Sequence, residues 1–95
     1  MRSHVVIEKP TTFAELKGMI TATELRLSKN QARLARTAVA HPEIVAFGTV
    51  HSLADHCAVS QSTVMRLAIS LGFGSFREFR QVFRHHIRAN TGFQR

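Results

Sequence analysis

One cysteine, two prolines, six carboxylate side chains, and neither tryptophan nor tyrosine stand among the 95 residues of this chain. The lone Cys57 has no partner for an internal disulfide, which excludes the stapled scaffolds of small secreted domains and favours a cytoplasmic setting. Apolar runs are only a few residues long, so no segment is suited to cross a bilayer as a helix. Val5-Val6-Ile7, between Arg2 and Glu8, is too short for the apolar centre of a signal peptide. Residues 1–10 are therefore expected to form a flexible N-terminal arm. A chain of this length has room for one small core and none for a doubly wound sheet, a barrel or a separate substrate lobe.

Positive charge is plentiful. Thirteen Lys and Arg against six Asp and Glu leave a formal net charge of +7 and a pI near 11.4, which calls for a polyanionic partner or an anionic surface. At 44% hydrophobic and 20% charged, the composition is that of a folded domain rather than a disordered tail.

Sustained alternation of apolar and polar residues is also missing, whereas helical spacing recurs almost throughout, so the expected class is all-α with five or six helices. A first helix follows Pro10 and Thr11-Thr12, with Phe13, Leu16, Met19 and Ile20 on one face, and ends near Arg26. Ser28-Lys29-Asn30-Gln31 has the form of a capping box and opens a second helix. Its expected buried face is Gln31, Leu34, Ala35, Ala38 and Val39, and Pro42 ends it after His41. A short turn through Ile44, Val45 and Phe47 comes next. Thr49 then caps a helix over Val50 to Cys57, Ser60 caps another over Gln61 to Leu71, and Gly72 suits a left-handed stop. Ser75-Phe76-Arg77-Glu78 is a further capping box. It starts a last helix with Phe76, Phe79, Phe83 and Ile87 inward, reaching about Ala89.

The two short helices carry matching apolar stripes: Val50, Leu53, Ala54 and Cys57 on one, Val64, Leu67, Ala68 and Leu71 on the other. Only Ala58, Val59 and Ser60 separate them, a spacing that crosses two short helices steeply and defines a helix-turn-helix. Such a motif presents the outer face of its second helix, here residues 61–71, to the DNA major groove. That face holds Gln61, Ser62, Met65, Arg66 and Ser70. Arg66 can bond guanine O6 and N7, and Gln61 can bond adenine N6 and N7. Ser60 and Thr63 suit phosphate oxygens, and Thr49 with its helix start suits another. The candidate DNA-binding residues are thus Thr49, Ser60, Gln61, Ser62, Thr63, Met65 and Arg66. Because one short helix reads few base pairs, a homodimer on a two-fold symmetric site is expected, with the apolar first helix as its interface.

Val50-His-Ser-Leu53-Ala54, Val59-Ser60-x-x-Thr63-Val64-x-Arg66-Leu67, Leu71-Gly72-Phe73 and Phe76-x-x-Phe79, with Leu27-Ser28-x-x-Gln31 upstream, resemble the N-terminal domain of the RpiR family of bacterial transcription regulators. The resemblance spans roughly Thr12 to Arg88. It implies a helix-turn-helix DNA-binding domain over residues 11–90 of a regulator, with repression as the expected mode. It also implies that residues 91–95 are either the C-terminal end or the start of a linker to a sugar-isomerase-like domain, missing from this sequence, through which a phosphosugar effector would act. Ala58 departs from the family, which usually has glycine in that turn; a left-handed backbone there costs alanine about 1 kcal/mol or more. Gly74-Ser75 departs too, since glycine often directly precedes the position of Phe76.

Other clusters have plainer readings. Arg77, Arg80, Arg84 and Arg88 recur opposite the phenylalanines of the last helix, suited to phosphates, to a docking domain or simply to water. Lys29, Arg33 and Arg36 form a weaker stripe, read as solvated. His51, Asp55, His56 and Cys57 suggest metal ligands, but Cys57 lies in the apolar stripe and points away from His51 and Asp55. His85 and His86 diverge by about 100° on their helix. No nucleophile has an evident catalytic partner, so neither an enzyme nor a cofactor is expected. The alternatives to a DNA-binding regulator are a helical protein-interaction module for an acidic partner and a shape-selective RNA binder. Stacking on RNA bases is disfavoured because most phenylalanines fall on inward positions.

Overall fold

The computed structural model describes residues 10–91, with side chains through Asn90. The arm expected over residues 1–10, apart from Pro10, and the terminal stretch 91–95, apart from the backbone of Thr91, lie outside the described residues. Within them the chain forms six α-helices and a 3₁₀ turn, with no strand, in agreement with the all-α expectation.

Helix α1, Phe13–Thr23, starts at Thr12, whose hydroxyl accepts the Glu15 N–H. The Glu15 carboxylate in turn accepts the N–H and hydroxyl of Thr11 at 2.9 and 3.0 Å. Those bonds favour its charged form and hold its pKa below the ordinary value. A 3₁₀ turn, Glu24–Arg26, continues α1 to the expected end of the first helical run. Helix α2, Lys29–Ala40, opens with the full capping box between Ser28 and Gln31. The same box corrects the expected core face: Gln31 is only partly buried because its amide is engaged at the helix start, and Ala32 takes the inward place. Val39 is likewise half-buried.

The expected turn after Pro42 is instead a short helix, α3, Pro42–Ala46. Proline at its first position has no N–H to leave unpaired and a φ already suited to the helix. Val45 and Ala46 are fully buried, and α3 packs chiefly against the last helix, while Phe47 remains 74% exposed. Helices α4, Val50–Cys57, and α5, Gln61–Ser70, follow with the expected caps at Thr49 and Ser60. Gly72, at φ 94°, supplies the left-handed stop after α5.

Helix α6, Phe76–Thr91, runs slightly beyond the expected end. Its start is a displaced capping box: Ser75 accepts the Glu78 N–H, but the Glu78 carboxylate reaches back to the Gly74 N–H rather than to Ser75. Phe76, Phe79 and Phe83 are buried as the spacing predicts; Val82 joins them, and Ile87 is half-buried. Phe79 and Phe83 meet edge-on at 5.0 Å, and Phe13 brings α1 onto α6 through an edge contact with Phe83 and a stacked contact with His86. One continuous core joins Leu16, Leu34, Val45, Leu53, Val64, Leu67 and these phenylalanines. Each such side chain, once buried, contributes about 1.5–3 kcal/mol. The helix pair α4–α5 is therefore seated on a rigid base.

Candidate nucleic-acid interface

The turn between α4 and α5 is built from backbone first. The Val59 N–H bonds the Ala54 carbonyl at 3.0 Å and the Ala58 N–H bonds the Asp55 carbonyl at 3.2 Å. This pattern closes a helix through one left-handed residue. That residue is Ala58, at φ 56° and ψ 47°. The chain adopts the left-handed turn even though alanine replaces the glycine of the resembling family. The same pair of bonds ends α5, where Phe73 N–H meets Ala68 O and Gly72 N–H meets Ile69 O.

Arg33 secures this turn from outside. Its Nη2 donates to the carbonyls of Cys57 and Ala58 at 3.0 and 3.3 Å, placing a cation against the carbonyl end of α4, where the helix dipole is negative. Residue spacing alone predicts a solvated Arg33, because its carbonyl partners lie more than twenty residues away along the chain. Arg80 and Arg84 are similar. Arg80 donates to the Gly48 carbonyl and Arg84 to the Ala46 carbonyl, both at 2.9 Å, so these two brace α6 against the end of α3. Arg77 and Arg88 stay exposed on the same helix.

With Val64, Leu67 and Ala68 facing the core, the opposite side of α5 faces out. Gln61, Ser62 and Arg66 are exposed and Met65 is half-buried; these four and Val50 line an open depression of about 450 Å³. Arg66 has no hydrogen-bond or ion-pair partner among the described residues. Ile69, one turn beyond Met65, is 61% exposed.

The hydroxyl residues are committed locally. Thr49 Oγ1 accepts the Ser52 N–H while Ser52 Oγ accepts the Thr49 N–H. Ser60 Oγ accepts the Thr63 N–H and lies 2.9 Å from Thr63 Oγ1. These two hydroxyls share one bond, so one O–H remains to donate elsewhere. Gln61 reaches across to α4, its Nε2 standing 3.0 Å from His51 Nδ1, and His51 Nε2 lies 3.5 Å from Asp55 Oδ2. The i, i+4 spacing on α4 pairs His51 with Asp55, whereas Gln61 comes near only through the crossing of α4 and α5.

Cys57 is buried, with burial pushing its thiol pKa up while Arg33 and a Thr37 hydrogen bond oppose the rise. No group of three or more potential metal ligands occurs among the described residues, nor is any described helix long and apolar enough to cross a membrane.

A capped helix, a three-residue turn closed by a left-handed residue, and a second helix with one buried and one polar face together define a helix-turn-helix domain. The profile of the rpiR-family helix-turn-helix domain matches residues 14–89. The chain belongs to that family. A solved structure of similar fold is the N-terminal domain of ybbH, named as a transcriptional regulator, from Bacillus subtilis subsp. subtilis str. 168, with a TM-score of 0.64 and 25% identity over 72% of this chain and 83% of that one. No curated protein matches the sequence.

Proposed function

We propose that this chain is the DNA-binding domain of a transcription regulator, and that the outer face of α5 enters the major groove of its operator. The observation that carries the proposal is the division of α5: its apolar side is locked into the core, and Gln61, Ser62 and Arg66 face outward without an apolar cover. Arg66 is assigned to a guanine and Gln61 to an adenine, by the donor and acceptor pattern of each base edge. The remaining O–H of the Ser60–Thr63 pair and the hydroxyl of Thr49 are assigned to phosphates on either side. Met65 fills the floor between these polar groups. Family membership and the net charge of +7 support the same partner.

The domain acts as a homodimer in this proposal. The first helical run supports that part, because Ala14, Gly18 and Ala22 of α1 and the fully exposed Leu25 of the 3₁₀ turn lie on its solvent side, and an apolar stripe left exposed is one that an association covers. Antiparallel pairing of α1 with a second copy about a two-fold axis would set Glu15 near Arg26, a match of opposite charges. Repression by occupancy of the operator is the proposed mode. Any phosphosugar control would act through a sugar-isomerase-like domain, which these 95 residues do not contain.

Selection from random duplexes tests the proposal. A palindromic consensus is expected, and Arg66→Ala should weaken binding to it by about 1–3 kcal/mol with relaxed specificity at one base pair. Absence of any enriched sequence would favour the acidic-protein partner instead, and unchanged affinity would remove Arg66 from the site.

A further inference from the structure

We propose that His51, on the first helix of the motif, is a positioning residue that fixes which way round the Gln61 amide meets a base; this inference rests on the major-groove proposal above. Gln61 is the first residue of α5 and is exposed, and its side chain is hydrogen-bonded across the motif to His51 on α4. A glutamine amide presents a donor on one side and an acceptor on the other, and in isolation can turn over at little cost. The 3.0 Å approach of Gln61 Nε2 to His51 Nδ1 removes that freedom. An amide nitrogen only donates, so Nδ1 must accept, and the neutral ring carries its proton on Nε2. Asp55, one turn along α4, holds its Oδ2 3.5 Å from that Nε2. A carboxylate there favours the tautomer protonated at Nε2 and leaves Nδ1 as the acceptor. Asp55, His51 and Gln61 thus form a line of side chains from the outer face of α4 to the start of α5.

With one N–H given to His51, the amide turns outward Oε1 and its second N–H, one acceptor and one donor. Adenine offers N6 as donor and N7 as acceptor, a complementary pair, whereas guanine offers two acceptors at O6 and N7. An amide turned the other way would accept at Oε1 on the α4 side and direct two N–H groups outward, which suits guanine. The acceptor on His51 therefore selects adenine at the position Gln61 reads, without His51 touching that base.

The experiment is selection from random duplexes with the wild-type chain, Gln61→Ala, His51→Phe and His51→Lys. Gln61→Ala identifies the base pair concerned as the one where preference disappears. At that pair the wild type should favour adenine over guanine by on the order of tenfold. His51→Phe, which keeps a ring but has no acceptor, should bring the ratio near unity. His51→Lys, which only donates, should invert it toward guanine. Thermal unfolding of each variant establishes that the exposed substitutions leave the fold intact. Retention of the wild-type ratio by both His51 variants would overturn the inference while leaving the major-groove proposal standing. A uniform loss across all sequences with the ratio preserved would also overturn it, making His51 a phosphate contact. If the wild type enriches no sequence, the proposed function fails and this inference with it.

Discussion

Ala58 carries a conformation that alanine rarely adopts. At φ 56° its Cβ crowds the neighbouring carbonyl, at a cost of about 1–2 kcal/mol for an L-residue. The turn persists because two backbone bonds and the Arg33 guanidinium all require the chain to reverse there. Ala58→Gly should raise stability by about 0.5–1 kcal/mol once the greater unfolded-state freedom of glycine is subtracted. Thermal denaturation would register it as a midpoint several degrees higher, with DNA affinity unchanged. Cys57, just before, is shielded by the same turn. Its folded-state pKa lies above the ordinary thiol value of 9.0 because burial disfavours the thiolate. Below that value both folded and unfolded thiols are protonated and the group adds no pH dependence. As pH rises past 9.0 the unfolded chain loses the proton first, so stability should fall on the alkaline side. Cys57→Ala should flatten that alkaline decline in a denaturant titration, and the native thiol should react slowly with exogenous disulfides at neutral pH.

Among the elements, the short α3 and the turn after it join the helix-turn-helix to α6. Gly48 sits at the junction. A Cβ there would collide with the Ile44 carbonyl oxygen and stand 2.8 Å from Ser52 Oγ, the atom that completes the cap of α4. Arg80 holds the Gly48 carbonyl from the other side, so the backbone has little room to yield. Gly48→Ala should therefore destabilise the domain by about 1–3 kcal/mol. Chemical denaturation would measure the loss, and circular dichroism should show intact helices at low denaturant. Helix boundaries on either side were legible in the sequence, because Thr49, Ser60 and Gly72 act through neighbours three to five residues away. The short α3 was not, since its few residues repeat too little to show a period, and burial against α6 is what makes them helical.

For the whole molecule, positive charge and an uncovered α1 pull in the same direction. The proposed homodimer places two copies of α5 on a symmetric site, which one short reading helix cannot occupy with useful selectivity. Ala22→Glu would set charge on the exposed side of α1. Sedimentation should then show a monomer of unchanged helical content, and binding to a full palindrome should fall toward that of a half-site. A wild-type chain that sediments as a monomer on and off DNA would exclude this interface.

By itself the sequence determined the helical class, most helix limits, the helix-turn-helix and the outward set Gln61, Ser62 and Arg66, because periodicity and capping are short-range and each signal lies within one or two turns of what it specifies. Tertiary structure alone decided what the basic residues do. Arg33, Arg80 and Arg84 look alike in sequence to Arg66, yet these three are drawn to backbone carbonyls by the packing of distant elements, while Arg66 projects from α5 with no such carbonyl partner among the described residues. The same crossing of helices brought Gln61 to His51. A charged side chain takes its role from whatever acceptor the fold brings within about 3 Å, and that distance is set by the folded chain rather than by residue spacing.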